Sequence, residues 1–336
     1  MGHVHLTRDK REILGRLLGQ GMSIHGIARI LGYSPSAICQ EIKRSSPSRE
    51  MYDHSRAQKL AVLRRARASR RGKGFREELL EYVRVRLSWY WSPEQIAERV
   101  KLDFPNAPRM RISFKTIYRW LQKAARSKKP NPWQPYVRYL RLKRRGKSFL
   151  RARNDQRGRR DDLPSIETRP ELVAARTRFG DWEGDLIQGH NRQGYLLTLV
   201  ERSTNLLLAQ QCENKNMETV NQAIISSFQG LPQEFVRTIT VDRGKEFYGY
   251  EDVEKNLQTK VYFCHPYRPN ERGQNEQANG LLRQFFPKHK PITGVTKDDV
   301  ERAVALINNR PKKKFGYRTT MELLAERGLD EVLSFA

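Results

Sequence analysis

The sequence predicts a multidomain chain, all-α at the front and α/β behind, on three observations. Apolar residues recur at a helical spacing of about 3.6 in the first third, and at a strand spacing of about 2 further on. The third observation is charge. Residues 1–160 hold 40 basic and 12 acidic residues, whereas the remaining 24 basic and 25 acidic residues nearly cancel. At 336 residues, two or three cores are expected.

Such asymmetry points to a polyanion bound by the front half. A membrane surface is the rival, but no run approaches the roughly 18 apolar residues needed to span a bilayer, and a signal-peptide core is absent. A soluble intracellular protein is therefore expected. Cys39, Cys212 and Cys264 are scattered with no C-x-x-C pair, which argues against a disulfide framework and a thiolate zinc site. With no paired cysteines near them, His3, His5 and His25 read as solvated.

In the front, Arg8 to Leu18 form an amphipathic stretch with Ile13, Leu14, Leu17 and Leu18 on one stripe. Ser23 then caps a helix carrying Ile24, Ile27, Ala28 and Leu31, and Gly32 suits the left-handed turn after it. Ser34 and Pro35 read as the N-cap and first residue of the next helix. That is a helix-turn-helix. Ile38 and Ile42 hold its second helix on the core, so Ser36, Gln40, Lys43 and Arg44 face outward. Gln can pair with an adenine edge, and Lys or Arg with guanine or phosphate. The alternative is an ordinary helical hairpin with a solvated basic face.

A second instance begins at WSPEQIAERV. Ser92 to Gln95 fits a capping box, with Ile96, Ala97 and Val100 buried. A ten-residue loop, Leu102 to Arg111, leads to a helix capped by Ser113, with Ile117, Leu121 and Ala124 inward and Lys115, Arg119 and Gln122 outward. Trp89, Trp91 and Trp120 read as core. Two such modules in tandem would lengthen a recognised DNA site, with Arg64 to Lys73 as basic connector. Residues 121–160 hold 15 Lys or Arg and one acid. They read as a solvated tether, which can also lie along the phosphates.

The back half changes period. Gly180 to Gly189, Gly194 to Glu201 and Asn205 to Cys212 read as three strands of a meander. Residues 217–228 follow as a helix with Val220, Ile224 and Phe228 buried, and Thr238 to Val241 as a returning strand. This order suggests a sheet of the ribonuclease H type. Gly244 permits a sharp turn just beyond that strand.

Asp185 and Asp242 both sit in strand-like apolar sequence, where carboxylates are depleted. A divalent cation offsets their desolvation and mutual repulsion, and hard oxygen ligands suit magnesium or manganese. A third carboxylate is expected from the segment that becomes helical after Gly273. There Leu281, Leu282 and Phe285 pack on the sheet, and Glu276, Asn279 or Gly280, and Arg283 share a face. A surface role is the alternative for Glu276 taken alone.

The stretches GDWEGDLI, TLVERS, VDRGKEF, VYFCHPYRPNERGQNEQANGLLRQFFPK and LINNRPKKKFGYRT, with GYSPSAICQEIKR and WSPEQIAERV in front, resemble the insertion-sequence 30 group of bacterial transposases. That group lies within the retroviral-integrase-like DDE superfamily. The likeness covers nearly the whole chain, and the 33 residues between Asp242 and Glu276 match the family spacing. The resemblance implies that Asp185, Asp242 and Glu276 are a catalytic, metal-binding triad for two magnesium or manganese ions. Water would cut at the transposon end, and the freed 3′-hydroxyl would attack a target phosphodiester. It also implies double-stranded DNA partners (terminal inverted repeats and target) and a homodimer or higher homo-oligomer. No membrane, nucleotide cofactor or covalent protein adduct is implied, and the expected location is cytoplasmic and nucleoid-associated.

On this reading the chain comprises a helix-turn-helix domain (1–48), a basic helical linker (49–74), a second helix-turn-helix domain (75–125), a basic linker (126–175) and a catalytic domain with C-terminal helices (176–336). Asp181 and Glu183 share a strand face with Asp185; either could assist the metals, a salt bridge being the alternative. Lys245, Asn275 and Arg283 are candidate DNA contacts, and Lys312 to Lys314 a solvated basic face with some DNA contact. The family usually has Asn where Arg243 stands, and Trp-Gln where Asn270 and Glu271 stand. A magnesium-dependent nuclease without strand transfer, and a catalytically silent DNA-binding regulator, are the alternatives to a transposase.

Overall fold

The computed structural model describes residues 6–71, 77–141, 162–266, 268–329 and 332. It divides into two compact units, Met1–Arg76 and Glu77–Ala336.

The first unit contains α1 (Arg8–Gly19), α2 (Ile24–Leu31), α3 (Pro35–Ser45) and α4 (His54–Arg71). Local sequence sets these boundaries. The Ser23 and Ser34 hydroxyls accept from the backbone N–H groups of Gly26 and Ala37, and Gly32 closes α2 in the left-handed region at φ 72°. Leu14, Ile27, Ala28, Leu31, Ile38 and Ile42 form the core. Ile13, expected on the stripe, is 39% exposed, because Leu14 takes the inward position. Helix α4 packs on α1 and α3 through Ala57 and Ala61. Arg11 is buried with Glu41 at 2.6 Å, a pairing that tethers α1 to α3. His25 is exposed; His3 and His5 lie outside the described residues, as does part of the basic connector.

The second unit opens with α5 (Glu77–Ser88), α6 (Pro93–Asp103) and α7 (Phe114–Arg126). Ser92 and Gln95 make the reciprocal capping box, and Ser113 caps α7. Ile96, Ala97, Val100, Ile117, Leu121 and Ala124 are all buried. Trp91 belongs to this core, but Trp89 is 40% exposed, stacked outside by the Arg86 guanidinium 4.2 Å from its ring centre. Part of the expected tether is packed rather than solvated. Trp133 is buried and stacks on Trp120 with ring centres 4.7 Å apart, holding residues 127–141 against the module. Residues 142–161 lie outside the described residues.

After the short helix α8 (Glu171–Ala175) comes the sheet: β1 (Asp181–Gln188), β2 (Tyr195–Glu201), β3 (Leu207–Cys212), β4 (Thr238–Val241) and β5 (Lys260–Phe263). Their spatial order is β3-β2-β1-β4-β5. The first three run antiparallel as a meander, and β4 and β5 add parallel to β1. Helices α9 (Met217–Ser227) and α10 (Tyr250–Leu257) cover one face around Trp182, Leu197, Ile224 and Phe263. Helices α11 (Gly273–Leu282) and α12 (Lys297–Asn308) cover the other around Ile187, Leu196, Val200 and Leu282. β5 and α10 go beyond the meander, helix and returning strand read from the sequence.

Helix α13 (Thr320–Glu326) closes the unit. Arg99 of α6 donates from Nε to Asp103 at 2.7 Å, and as a fork to both carboxylate oxygens of Glu322. This bidentate pair joins the module to the C-terminal helices. Arg99→Met is expected to destabilise the second unit by roughly 1–2 kcal/mol, discounted for the partial exposure of Glu322. Arg99 holds the Glu322 carboxyl below its usual value of 4.5. The contribution is therefore full above pH 4.5 and fades as acid passes the depressed value. Thermal melts of wild type and variant at neutral pH and near pH 3 check both points: the gap should narrow in acid.

Candidate active site

The two aspartates meet because of strand register. β1 and β4 are parallel, with Trp182 beside Ile239 and Glu183 beside Thr240. Continuing that register by two places sets Asp185 level with Asp242, the residue after the last of β4. Alternation points Asp181, Glu183 and Asp185 to the α11 side of the sheet, away from Trp182.

A single guanidinium bridges the pair. Arg272, just before α11, reaches Asp185 Oδ1 from Nη1 at 3.1 Å and Asp242 Oδ2 from Nη2 at 3.0 Å. Nη1 also donates to the Gly184 carbonyl at 3.1 Å. Burial pushes the Asp185 carboxyl above its ordinary value, and nearby Asp242 adds to this, while Arg272 opposes it. Burial works against the charge on Arg272, but Asp185 and Asp242 outweigh it and raise its value.

The remaining oxygens are also held. Asp185 Oδ1 accepts from the Leu186 N–H, and its Oδ2 from Asn279 Nδ2 at 2.7 Å. Asp242 Oδ1 accepts from the Gly244 N–H at 2.9 Å. Gly244 has an ordinary φ of −66°; the need is space, because a Cβ there would lie 2.9 Å from Asp242 Oδ1 and 2.7 Å from Glu246 Cδ. Thr198, opposite Asp185 across β1 and β2, donates within reach of the Asn275 and Asn279 side-chain oxygens, so α11 is pinned over the site.

Glu276 lies on the first turn of α11, exposed, and makes no hydrogen bond or ion pair among the described residues. Its helix is docked on Asp185 through Asn279, yet its carboxylate is not gathered with the aspartates. Among the described residues, no group of three His, Cys, Asp or Glu side chains is arranged to hold a metal. Arg272 takes the place between the acids instead.

The neighbouring acids are structural. Asp181 accepts from Arg178 at 2.8 and 3.0 Å and from Thr238, and Glu183 is buried against Arg202. Salt bridges therefore account for both.

Ser36, Gln40, Lys43 and Arg44 are exposed on α3, as are Lys115, Arg119 and Gln122 on α7, and Lys245 beside Asp242. Two other expected DNA contacts differ. Asn275 is fully buried, its N–H donating to Glu183 at 3.1 Å, so it positions α11 and is closed to DNA. Arg283 is half-buried and donates to the carbonyls of Phe286 and Gln188. Nor is Lys312 part of a solvated face: its ammonium turns inward to the Asn205 carbonyl at 2.8 Å and to the Thr320 hydroxyl. Arg243 donates from Nε to the Cys264 carbonyl, and Glu271 is engaged by His265 at 2.8 Å. The side chain of Asn270 lies outside the described residues.

Nothing in the sequence around Arg272 marks it as a partner of the aspartates, although it stands four residues before Glu276 and so shares its helical face in pattern. Thr198 carried no such signal, since its role depends on strand pairing.

Residues 176–269 match an integrase core domain and residues 3–45 a helix-turn-helix domain. The chain is 34% identical over 325 residues to the transposase for insertion sequence element IS4351 of Bacteroides fragilis, covering 95% of this chain and 94% of that protein. It is 33% identical over 337 residues to transposase InsI for element IS30A of Escherichia coli (strain K12), covering 97% and 84%. Among solved structures it is similar to the catalytic core domain of BIV integrase, at 20% identity over 46% of this chain and 99% of that one, with a TM-score of 0.36. Among the described residues, no helix is long and apolar enough to cross a membrane.

Proposed function

This chain belongs to the insertion-sequence 30 family of transposases, and from that membership we propose that it binds the terminal inverted repeats of its own element, cuts the DNA strand at each end, and joins the freed 3′-hydroxyl to a target phosphodiester. One observation carries the chemistry: Asp185 and Asp242 stand level at adjacent strand ends, sharing a single cation. Two hard-oxygen donors facing one cationic position fit magnesium or manganese in donor type. Asp185 and Asp242 would hold the ions, with Glu276 swung in from α11 to complete the set. When bound, two such ions supply Lewis-acid polarisation of the phosphoryl group and acidify the attacking water or hydroxyl.

The chain's own residues do the rest. Asn279 fixes the orientation of Asp185, and the Gly244 N–H that of Asp242. Lys245 is exposed beside Asp242, where a scissile phosphate would come to rest. In the joining step one P–O bond forms as another breaks, so no nucleoside triphosphate is consumed. Exposed side chains of α3 and α7 hold the repeat, phosphate contacts setting register and base contacts sequence.

Arg272 must leave the aspartates for divalent ions to enter. Arg272→Gln removes the competing charge, and its affinity for Mn²⁺ is expected to rise by about tenfold or more. Calorimetric titration without DNA reads this directly, and an affinity equal to or weaker than wild type would rule out competition.

The function itself is tested by incubating the protein with inverted-repeat ends and target DNA, in Mg²⁺ or in EDTA. Metal-dependent nicks followed by joined products are expected. Nicks without joining would leave a nuclease, and a covalent protein–DNA adduct would indicate a serine or tyrosine recombinase mechanism.

A further inference from the structure

On the flank of α11 away from the aspartates lies a cavity of about 760 Å³. Its walls come from α6, α11, α12, the segment after α12, and Val200 of β2 and Leu207 of β3, so the module and the catalytic sheet both contribute.

Cations crowd this space. Arg141, Arg310, Lys312, Lys313 and Lys314 line it, and Glu94, the one acid among the described lining residues, is already engaged by Lys313 and Tyr317 at 3.1 Å each. Arg310 is 5% exposed and spends only Nη1, on Gln284 at 3.1 Å. Among the described residues, its Nε and Nη2 have no partner. A buried guanidinium with unused donors is costly unless an anion meets it.

The titration of the cluster agrees. Burial first, then Lys314 and Arg310, push the Lys312 ammonium down to about 7. Burial and Arg141 push Arg310 down to about 10. Burial is the larger cause for both groups, and the neighbouring cations add to it.

Phosphate alone would leave most of the space empty. Tyr90, Tyr139, Leu281 and Ile307 give the cavity an amphipathic wall, and Gln274 contributes a buried side-chain oxygen that accepts no hydrogen bond among the described residues. Unused donors beside cations, an unused acceptor, and flat apolar surface together match one nucleotide. Its volume is that of a small-molecule site, and tyrosine faces accept any base.

We propose that this cavity receives one nucleotide of a single-stranded DNA segment, its phosphate on Arg310, Lys312 and Lys314 and its base against the tyrosines and Gln274. This rests on the reading that the chain handles DNA strand ends, and it places a second strand-binding site across α11 from the catalytic acids.

The test uses the full chain. A labelled single-stranded oligonucleotide is titrated by fluorescence anisotropy over a range of salt, with duplex, a deoxynucleoside monophosphate and inorganic phosphate as competitors. Arg310→Met should weaken single-strand binding by about tenfold and lower the salt slope by about one. It should melt no lower than wild type without DNA, since an unpaired buried charge is removed. Lys314→Gln, on the exposed rim, should lower the slope similarly and covers the case in which the Arg310 variant fails to fold. The monophosphate should compete better than inorganic phosphate. Wild-type affinity and slope in the folded variants would overturn the site, as would inorganic phosphate competing as well as the nucleotide. Repeat-end cutting by wild type, run alongside, separates the two readings. If wild type cuts and the variants bind single strands normally, only the cavity assignment fails.

Discussion

Asp242→Asn and Glu276→Gln are each expected to lower strand cutting and joining by at least about 10³-fold while leaving inverted-repeat binding unchanged. Losing several kcal/mol of transition-state charge stabilisation corresponds to that factor. Binding should survive because the exposed recognition residues belong to α3 and α7. Stability should survive too. The Asp242 side chain is 40% exposed, and Glu276 is exposed without a partner among the described residues, so neither amide leaves a buried charge unpaired. Asp185→Asn is a less clean probe, because Asp185 is more buried and also accepts from Asn279.

The Glu276 variant decides more than the other. Asp242 is already beside Asp185 through Arg272, whereas Glu276 must move its carboxylate inward to join them. If Glu276→Gln cuts at the wild-type rate, it is a surface glutamate and the site works with two acids. If it loses cutting and also loses the tightened Mn²⁺ binding when combined with Arg272→Gln, the inward movement is the explanation. Parallel gel-shift and cleavage assays on one repeat-end substrate supply both readings.

What the sequence made legible was local. Ser34-Pro35, Ser92 to Gln95 and Gly32 each act within a single turn of backbone, so their structural role follows from their neighbours alone. The meander was readable because alternation over seven or eight residues is a strong signal. β5 was not, being four residues long and paired to β4 only through a crossover. The packing of α4 was hidden because Ala57 and Ala61 make its inward stripe, and alanine barely registers as apolar beside so many arginines. Charge partners were the least legible feature. Nothing adjacent to Arg272 announces two aspartates, and the run Lys312 to Lys314 looks uniform although Lys312 alone donates to Asn205 and Thr320 main-chain and hydroxyl oxygens. Such pairings depend on which elements the sheet brings together.

Glu183→Gln is expected to destabilise the second unit by about 3–5 kcal/mol, the loss that follows when one partner of a buried ion pair is removed. Glu183 has no exposed surface and Arg202 is 3% exposed. One carboxylate oxygen meets the Arg202 guanidinium, and the other accepts from the Asn275 N–H at 3.1 Å, at the start of α11. Burial lowers the Arg202 value despite Glu183, and Arg169 and Arg176 press in the same direction, so without Glu183 only the weaker pull of Asp181 opposes them. Because α11 carries both Asn279 and Glu276, the damage should reach the catalytic side as well. The partner variant Glu183→Met with Arg202→Met separates structure from chemistry. Removing both charges should recover most of the lost stability, since a well-packed apolar pair can replace a buried bridge. Denaturant titrations of wild type, each single variant and the double variant measure the coupling. A Glu183→Gln protein that unfolds at the wild-type midpoint yet fails to cut DNA would instead make Glu183 a member of the catalytic group.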